Sequence, residues 1–242
     1  MSVRRAIKEY NHIINCLSLF LLLCLTACTS PTATEVTSVP SIRYLALGDS
    51  YTIGESVAEM DRWPNRLANA LELSPHLGGS RREVEVTIIA KTGWTTSELW
   101  EGIQQQKLDP PYDLVSLLIG VNNQYRGYDI HEYREQFIFL LNKSVEYAGG
   151  DANRVIVLSI PDWGVTPFAN DRDQQQITKD IDIFNAVNRE ETEKAGAHYV
   201  DITPISRQPD PALIASDGLH PSAKMYAEWV KLVLPVALKA TE

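Results

Sequence analysis

Cysteine is scarce in this chain of 242 residues, and what there is sits at one end. Cys16, Cys24 and Cys28 are the only three, so nothing after residue 28 carries a thiol. If the chain is cut before Cys28, one cysteine remains. That excludes an internal disulfide, a thiol nucleophile in the body of the chain and a cysteine-based zinc site. Positive charge is also in short supply. The 22 Lys and Arg face 31 Asp and Glu, for a formal net charge of −9. Such a chain has no general attraction to phosphate backbones, so no nucleic-acid partner is expected. Histidines never fall at a metal-ligand spacing, and neither a metal nor a cofactor is expected. Glycine and proline, 13 of each, are too few for a collagen-like or low-complexity chain. The length and the 44% hydrophobic content suit one sizeable core.

The first 28 residues have a different character from the rest. Arg4, Arg5 and Lys8 make a basic head, and an apolar stretch runs from Leu17 to Leu25, broken by Ser18. Small residues then close the segment, which is the pattern of an export signal. The apolar core is short for a permanent membrane span. Leu25-Thr26-Ala27-Cys28 resembles the lipobox of bacterial lipoproteins, which would make Cys28 the lipidated first residue of the mature chain. The alternative is an ordinary signal peptide in which Cys28 is incidental. Residues 29–41 form a Ser/Thr/Pro tract without apolar period. Such a tract is a tether, with a reach on the order of 40 Å when extended. The expected division is a signal over 1–27, a lipidated end and tether over 28–41, and one folded domain over 42–242. The protein is expected to be exported, held at a bacterial cell envelope through Cys28, and monomeric.

From Ile42 onward strands and helices alternate. Arg43–Leu47, Val84–Ala90, Leu114–Ile119, Val155–Ile160 and Tyr199–Ile202 have strand character. Between them, helices are expected from Trp63, from a capping box at Thr95-Thr96-Ser97-Glu98, from Asp129, and around Ile177 to Val187 with a stop at Gly196. Pro221 is expected to open a last helix with Met225, Trp229, Leu232, Val233 and Val236 on its apolar face. Two strands are apolar throughout, as in a parallel sheet covered on both faces. That predicts an α/β fold with ligands outside the carboxyl ends of the strands.

Polar and glycine-rich loops follow each strand. They are Gly48-Asp49-Ser50-Tyr51, Lys91-Thr92-Gly93-Trp94, Gly120-Val121-Asn122-Asn123, Pro161-Asp162-Trp163 and Ser216-Asp217-Gly218-Leu219-His220. Ester hydrolysis needs a nucleophile, a base for its proton and donors for the oxyanion. Ser50 is the candidate nucleophile and His220 the base, with Asp217 three residues before it to orient the imidazole. Donors for the oxyanion are available from the Ser50 N–H, the Gly93 N–H and the Asn122 side chain. Each block alone has a plain reading as a turn or a cap; their order and placement together point to catalysis. Tyr51, Tyr125 and Trp163 lie in or near these loops, where they line an acyl or alcohol pocket or pack the loops.

These four blocks resemble the SGNH hydrolases, also called the GDSL family, over residues 43 to about 240. The resemblance implies a flavodoxin-like three-layer sandwich whose five-stranded parallel sheet has the order 2-1-3-4-5. It implies Ser50 as nucleophile, His220 as base, Asp217 as its partner, and Ser50, Gly93 and Asn122 as the oxyanion hole. The family's nucleophile does not sit in a Gly-x-Ser-x-Gly elbow, and this chain has none. The family usually has Asp where this chain has Asn123. The implied activity is hydrolysis of carboxylic esters: short-chain acyl esters, lysophospholipids or O-acetylated glycans. The competing reading is a catalytically silent envelope lipoprotein that binds a glycan on a hydrolase-like scaffold.

Overall fold

The computed structural model describes residues 41–74 and 83–242. Cys28, the signal and almost all of the tether lie outside the described residues. One sheet of five parallel strands has the order β2-β1-β3-β4-β5. The strands are β1 (Ser41–Gly48), β2 (Glu83–Ala90), β3 (Leu114–Leu118), β4 (Val155–Leu158) and β5 (His198–Val200). The order is the one implied by the family resemblance. In the central register Leu47 of β1 lies beside Ile89 of β2 and Leu117 of β3. Every residue of β3 and β4 is buried, as sequences apolar at all but one position require. The one polar residue among them, Ser116, meets the Tyr44 hydroxyl at 2.8 Å.

Helices cover both faces. They are α1 (Ser50–Ile53), α2 (Trp63–Leu73), α3 (Thr96–Gln104), α4 (Val121–Tyr125), α5 (Ile130–Tyr147), α6 (Gln174–Lys194), α7 (Thr203–Ser206) and α8 (Ala223–Ala240). On one side α2 packs on α8; on the other, α5 packs against both α3 and α6. Among the described residues no helix is long and apolar enough to cross a membrane.

The local signals explain most boundaries. Thr95 and Glu98 form the reciprocal capping box at the start of α3, Asp129 caps α5, and the chain leaves α6 through Gly196 at φ +75°. Three expectations need correction. β4 and β5 stop two residues early, because side chains take over the backbone bonding. The Asn185 amide accepts from the Ile160 N–H at 2.7 Å and donates to the Ile160 carbonyl at 2.9 Å, and Ser159 Oγ accepts from the Ile202 N–H. Pro221 does not open α8. It sits in an antiparallel bridge with Ile214, and Ser222 is the cap, accepting from the Met225 N–H. Leu232 is 44% exposed, because the buried face centres on Tyr226, Trp229 and Val233. Each helical residue turns the face by about 100°, which swings Leu232 off that centre.

Candidate active site

Asp49 and Ser50 follow directly on β1. A Cβ on Gly48 would lie 2.2 Å from Thr52 Oγ1 and 2.5 Å from the Leu118 carbonyl, so glycine there is what lets α1 fold back over the sheet edge. Asp49 caps α1. Its Oδ1 accepts from the Tyr51 N–H at 3.0 Å and its carbonyl accepts from Thr52 and Ile53. Ser50 is buried at the first helical position, with its own N–H outside those bonds. Asp49 is wholly buried, and burial pushes its carboxyl up to about 7 against the pull of the backbone N–H groups it accepts from.

The loop before α8 carries Asp217 and His220. Asp217 Oδ1 accepts from the N–H groups of Leu219 and His220, each at 2.9 Å, and its Oδ2 lies 2.7 Å from His220 Nδ1. The loop is closed by the Ile214–Pro221 bridge and by the Ala215 N–H on the His220 carbonyl at 2.7 Å. Partial burial works to raise the Asp217 carboxyl, but donors from Ser56, Leu219 and His220 outweigh it and hold it well below the usual carboxylate range. An ionised Asp217 fixes the imidazole proton on Nδ1 and leaves Nε2 as an acceptor. The ring of His220 meets that of Tyr51, the residue after Ser50, edge-on at 5.8 Å between centroids. Tyr51 is 3% exposed and also packs on Trp229. Burial, with the charges of Asp49, Asp162 and Asp217, raises its phenol far above the ordinary range.

Gly93 and Asn122 lie on neighbouring segments that three residues, Asn122, Asn123 and Arg126, bond to each other. Asn122 Nδ2 donates to the Trp94 carbonyl at 2.9 Å. Asn123, buried, accepts from the Thr96 N–H at 3.1 Å and donates to Thr96 Oγ1 at 2.8 Å. Arg126 Nη2 donates to the Gly93 carbonyl at 2.6 Å, while its Nη1 meets Glu98 at 3.2 Å. Gly93 itself sits at φ +87°, a conformation that belongs to glycine.

Tyr125, three residues after Asn122 on α4, is 47% exposed and packs on Trp163 and Phe168. Trp163 is buried, and its indole N–H donates to Gln124. The guanidinium of Arg172 lies 5.1 to 5.5 Å from all three rings. The Phe168 N–H donates to the Gly218 carbonyl at 3.0 Å, which ties this aromatic wall to the Asp217–His220 loop. Among the described residues no group of three or more His, Cys, Asp or Glu is placed to hold a metal ion.

The family model for the GDSL-like lipase/acylhydrolases matches residues 46–228. The chain belongs to that family. Three solved structures show how far the fold is shared by this GDSL hydrolase. The acetylxylan esterase Axe2 from Geobacillus stearothermophilus superposes with a TM-score of 0.62 at 19% identity, over 82% of this chain and 95% of its own. The lipase/acylhydrolase from Enterococcus faecalis gives 0.60 at 20% identity, over 80% and 94%. A lipolytic G-D-S-L family protein from Veillonella parvula gives 0.61 at 16% identity, over 81% and 97%. At these identities the likeness shows the fold. No curated protein matches the sequence closely enough to count as a relative.

Two residues absent from the sequence-based candidates stand in the site. Arg126 holds the Gly93 carbonyl, and Ser56 Oγ donates to Asp217 Oδ2 at 2.6 Å. Neither carries a sequence signal of its own, since one is an arginine after a five-residue helix and the other a serine in a turn.

Proposed function

We propose that this GDSL hydrolase is a serine esterase that works through an acyl-enzyme on Ser50. The Ser50 Oγ adds to the ester carbonyl as His220 Nε2 takes its proton. The negative charge that forms on the carbonyl oxygen is met by the N–H groups of Ser50 and Gly93 and the amide of Asn122. The imidazolium then gives the proton to the departing alcohol oxygen as the C–O bond breaks. Water repeats the sequence on the acyl-enzyme and releases the acid. Asp217 holds the ring and balances its charge. The observation that carries this reading is the Asp217–His220 pair at 2.7 Å, with the imidazole packed on the residue next to Ser50.

The substrates proposed are small acyl esters, including O-acetyl groups on glycans. Exposed Tyr125 and Phe168 offer ring faces for the alcohol side of such an ester. The fold shared with an acetylxylan esterase favours the same substrates. The protein is further proposed to act as a single chain, exported and anchored through a lipid on Cys28. Hydrolysis of nitrophenyl esters from acetate to octanoate, and of acetylated xylan, tests the activity. Wild type should turn over the short esters, and Ser50→Ala should lose that turnover. Equal inertness of both across the panel would favour a binding protein. Cys28→Ala should move the protein from the membrane fraction to the soluble one, and an unchanged distribution would overturn the anchor.

A further inference from the structure

One described residue other than glycine has a positive φ: Ser56, at +66°. It is the third residue of the turn Gly54–Val57, which is closed by the Val57 N–H on the Gly54 carbonyl at 3.3 Å. A left-handed third position in such a turn belongs by default to glycine, because a Cβ is strained there. Serine in that place needs a reason, and the structure holds one. The Ser56 hydroxyl donates to Asp217 Oδ2 at 2.6 Å, across 161 residues of sequence, to the same oxygen that faces His220 Nδ1. The turn is rigidly joined to the nucleophile, since the Gly54 and Glu55 N–H groups both donate to the Ser50 carbonyl. Its next residue back, Glu55, accepts from Thr92 Oγ1, beside Gly93. Ser56 also lines a groove of about 260 Å³, together with Ala215, Ser216 and Ser222.

We infer that Ser56 is a positioning residue: its strained backbone aims the hydroxyl at Asp217, and the bond locks the Asp–His loop to the segment that carries Ser50. This rests on the esterase reading above. Two backbone N–H groups fix Oδ1, but Oδ2 turns toward the imidazole under the control of two donors, the ring and Ser56. Without the hydroxyl, the loop keeps its shape and its ring contact with Tyr51 but loses its hydrogen bond to the turn after α1. His220 on the same loop bonds to Asp217 directly, and the charge of Asp217 raises the phenols of Tyr51 on α1 and Tyr226 on α8.

The test uses the full chain as wild type, Ser56→Ala and Ser56→Gly. Alanine keeps the strain and loses the bond, whereas glycine loses both. Glycine should therefore melt higher than alanine, which guards against reading a folding defect as a catalytic one. Both variants should lose roughly tenfold in kcat on nitrophenyl acetate, with KM changed by less than about twofold. In both, the downfield proton resonance of the His220 Nδ1–H, assigned by its loss in His220→Ala, should shift or broaden. A kcat within about twofold of wild type and an unmoved resonance in both variants would overturn the inference. If wild type itself turns over no ester, the esterase reading fails, and the resonance alone decides whether Ser56 holds Asp217.

Discussion

Arg126 donates to the Gly93 carbonyl at 2.6 Å and so joins the end of α4, which carries Asn122, to the loop that carries Gly93. Two groups proposed to receive the oxyanion are thus held by one side chain that touches neither donor. Removing it should cost activity more than stability. The guanidinium is 40% exposed and its pairing with Glu98 is a surface ion pair, worth about 0–1 kcal/mol. Arg126→Ala is therefore expected to stay within about 1 kcal/mol of wild type in urea unfolding. Its kcat should fall about tenfold, and guanidinium ion in the assay should restore part of the loss. Loss of stability with an unchanged kcat would show a structural brace instead.

Asn123 stands where the family usually has Asp, yet the neighbours fit an amide. Its Nδ2 donates to Thr96 Oγ1, and that hydroxyl donates onward to Gln136 Oε1. Gln136 is held in that orientation by its own Nε2 on Glu132. Asp at 123 would present a second acceptor to a hydroxyl already committed, inside a wholly buried site. Asn123→Asp is expected to lose about 2 kcal/mol at pH 7 by urea unfolding. Part of that should return at pH 5, where a buried carboxyl regains its proton and can donate. A variant as stable as wild type at pH 7 would mean that Thr96 and Gln136 rearrange freely.

Asp49 makes a contribution to stability that depends on pH with a definite sign. Burial raises its carboxyl from 3.8 to about 7 in the folded protein. Between those values the folded state keeps the proton and the unfolded chain has lost it. The stabilisation is therefore full below the unfolded value and is lost as pH rises through about 7. Asp49→Asn retains an acceptor for the Tyr51 N–H and does not titrate. Urea unfolding of both proteins at pH 5 and pH 8 isolates the effect, because the other groups cancel in the difference. Wild type should lose stability relative to the variant on going to pH 8. A difference that does not change with pH would contradict the raised value.

The sheet was legible because its strands bury both faces and so carry nearly continuous apolar runs, as in Leu114–Leu118 and Val155–Leu158. Helix starts were legible where a side chain caps them, as at Thr95 and Asp129. Ends settled by distant partners were not. Nothing near Ile160 announces that Asn185, 25 residues on, will take both its backbone groups. Ser50, Gly93, Asn122 and Asp217–His220 are legible because they stand in the loops after strands, and a parallel sheet sets such loops along one edge. Ser56 and Arg126 were invisible for the opposite reason, since their importance lies in a bond to one atom across 161 and 33 residues.

The nucleophile itself can be read by covalent capture. A fluorophosphonate reacts with an activated serine and leaves an adduct of known mass. On the full chain, one adduct per molecule is expected, mapped by peptide mass spectrometry to Ser50. Ser50→Ala should take no label, and His220→Ala should label orders of magnitude more slowly. An unlabelled wild type, or label at the same rate in His220→Ala, would contradict a hydroxyl driven by that imidazole.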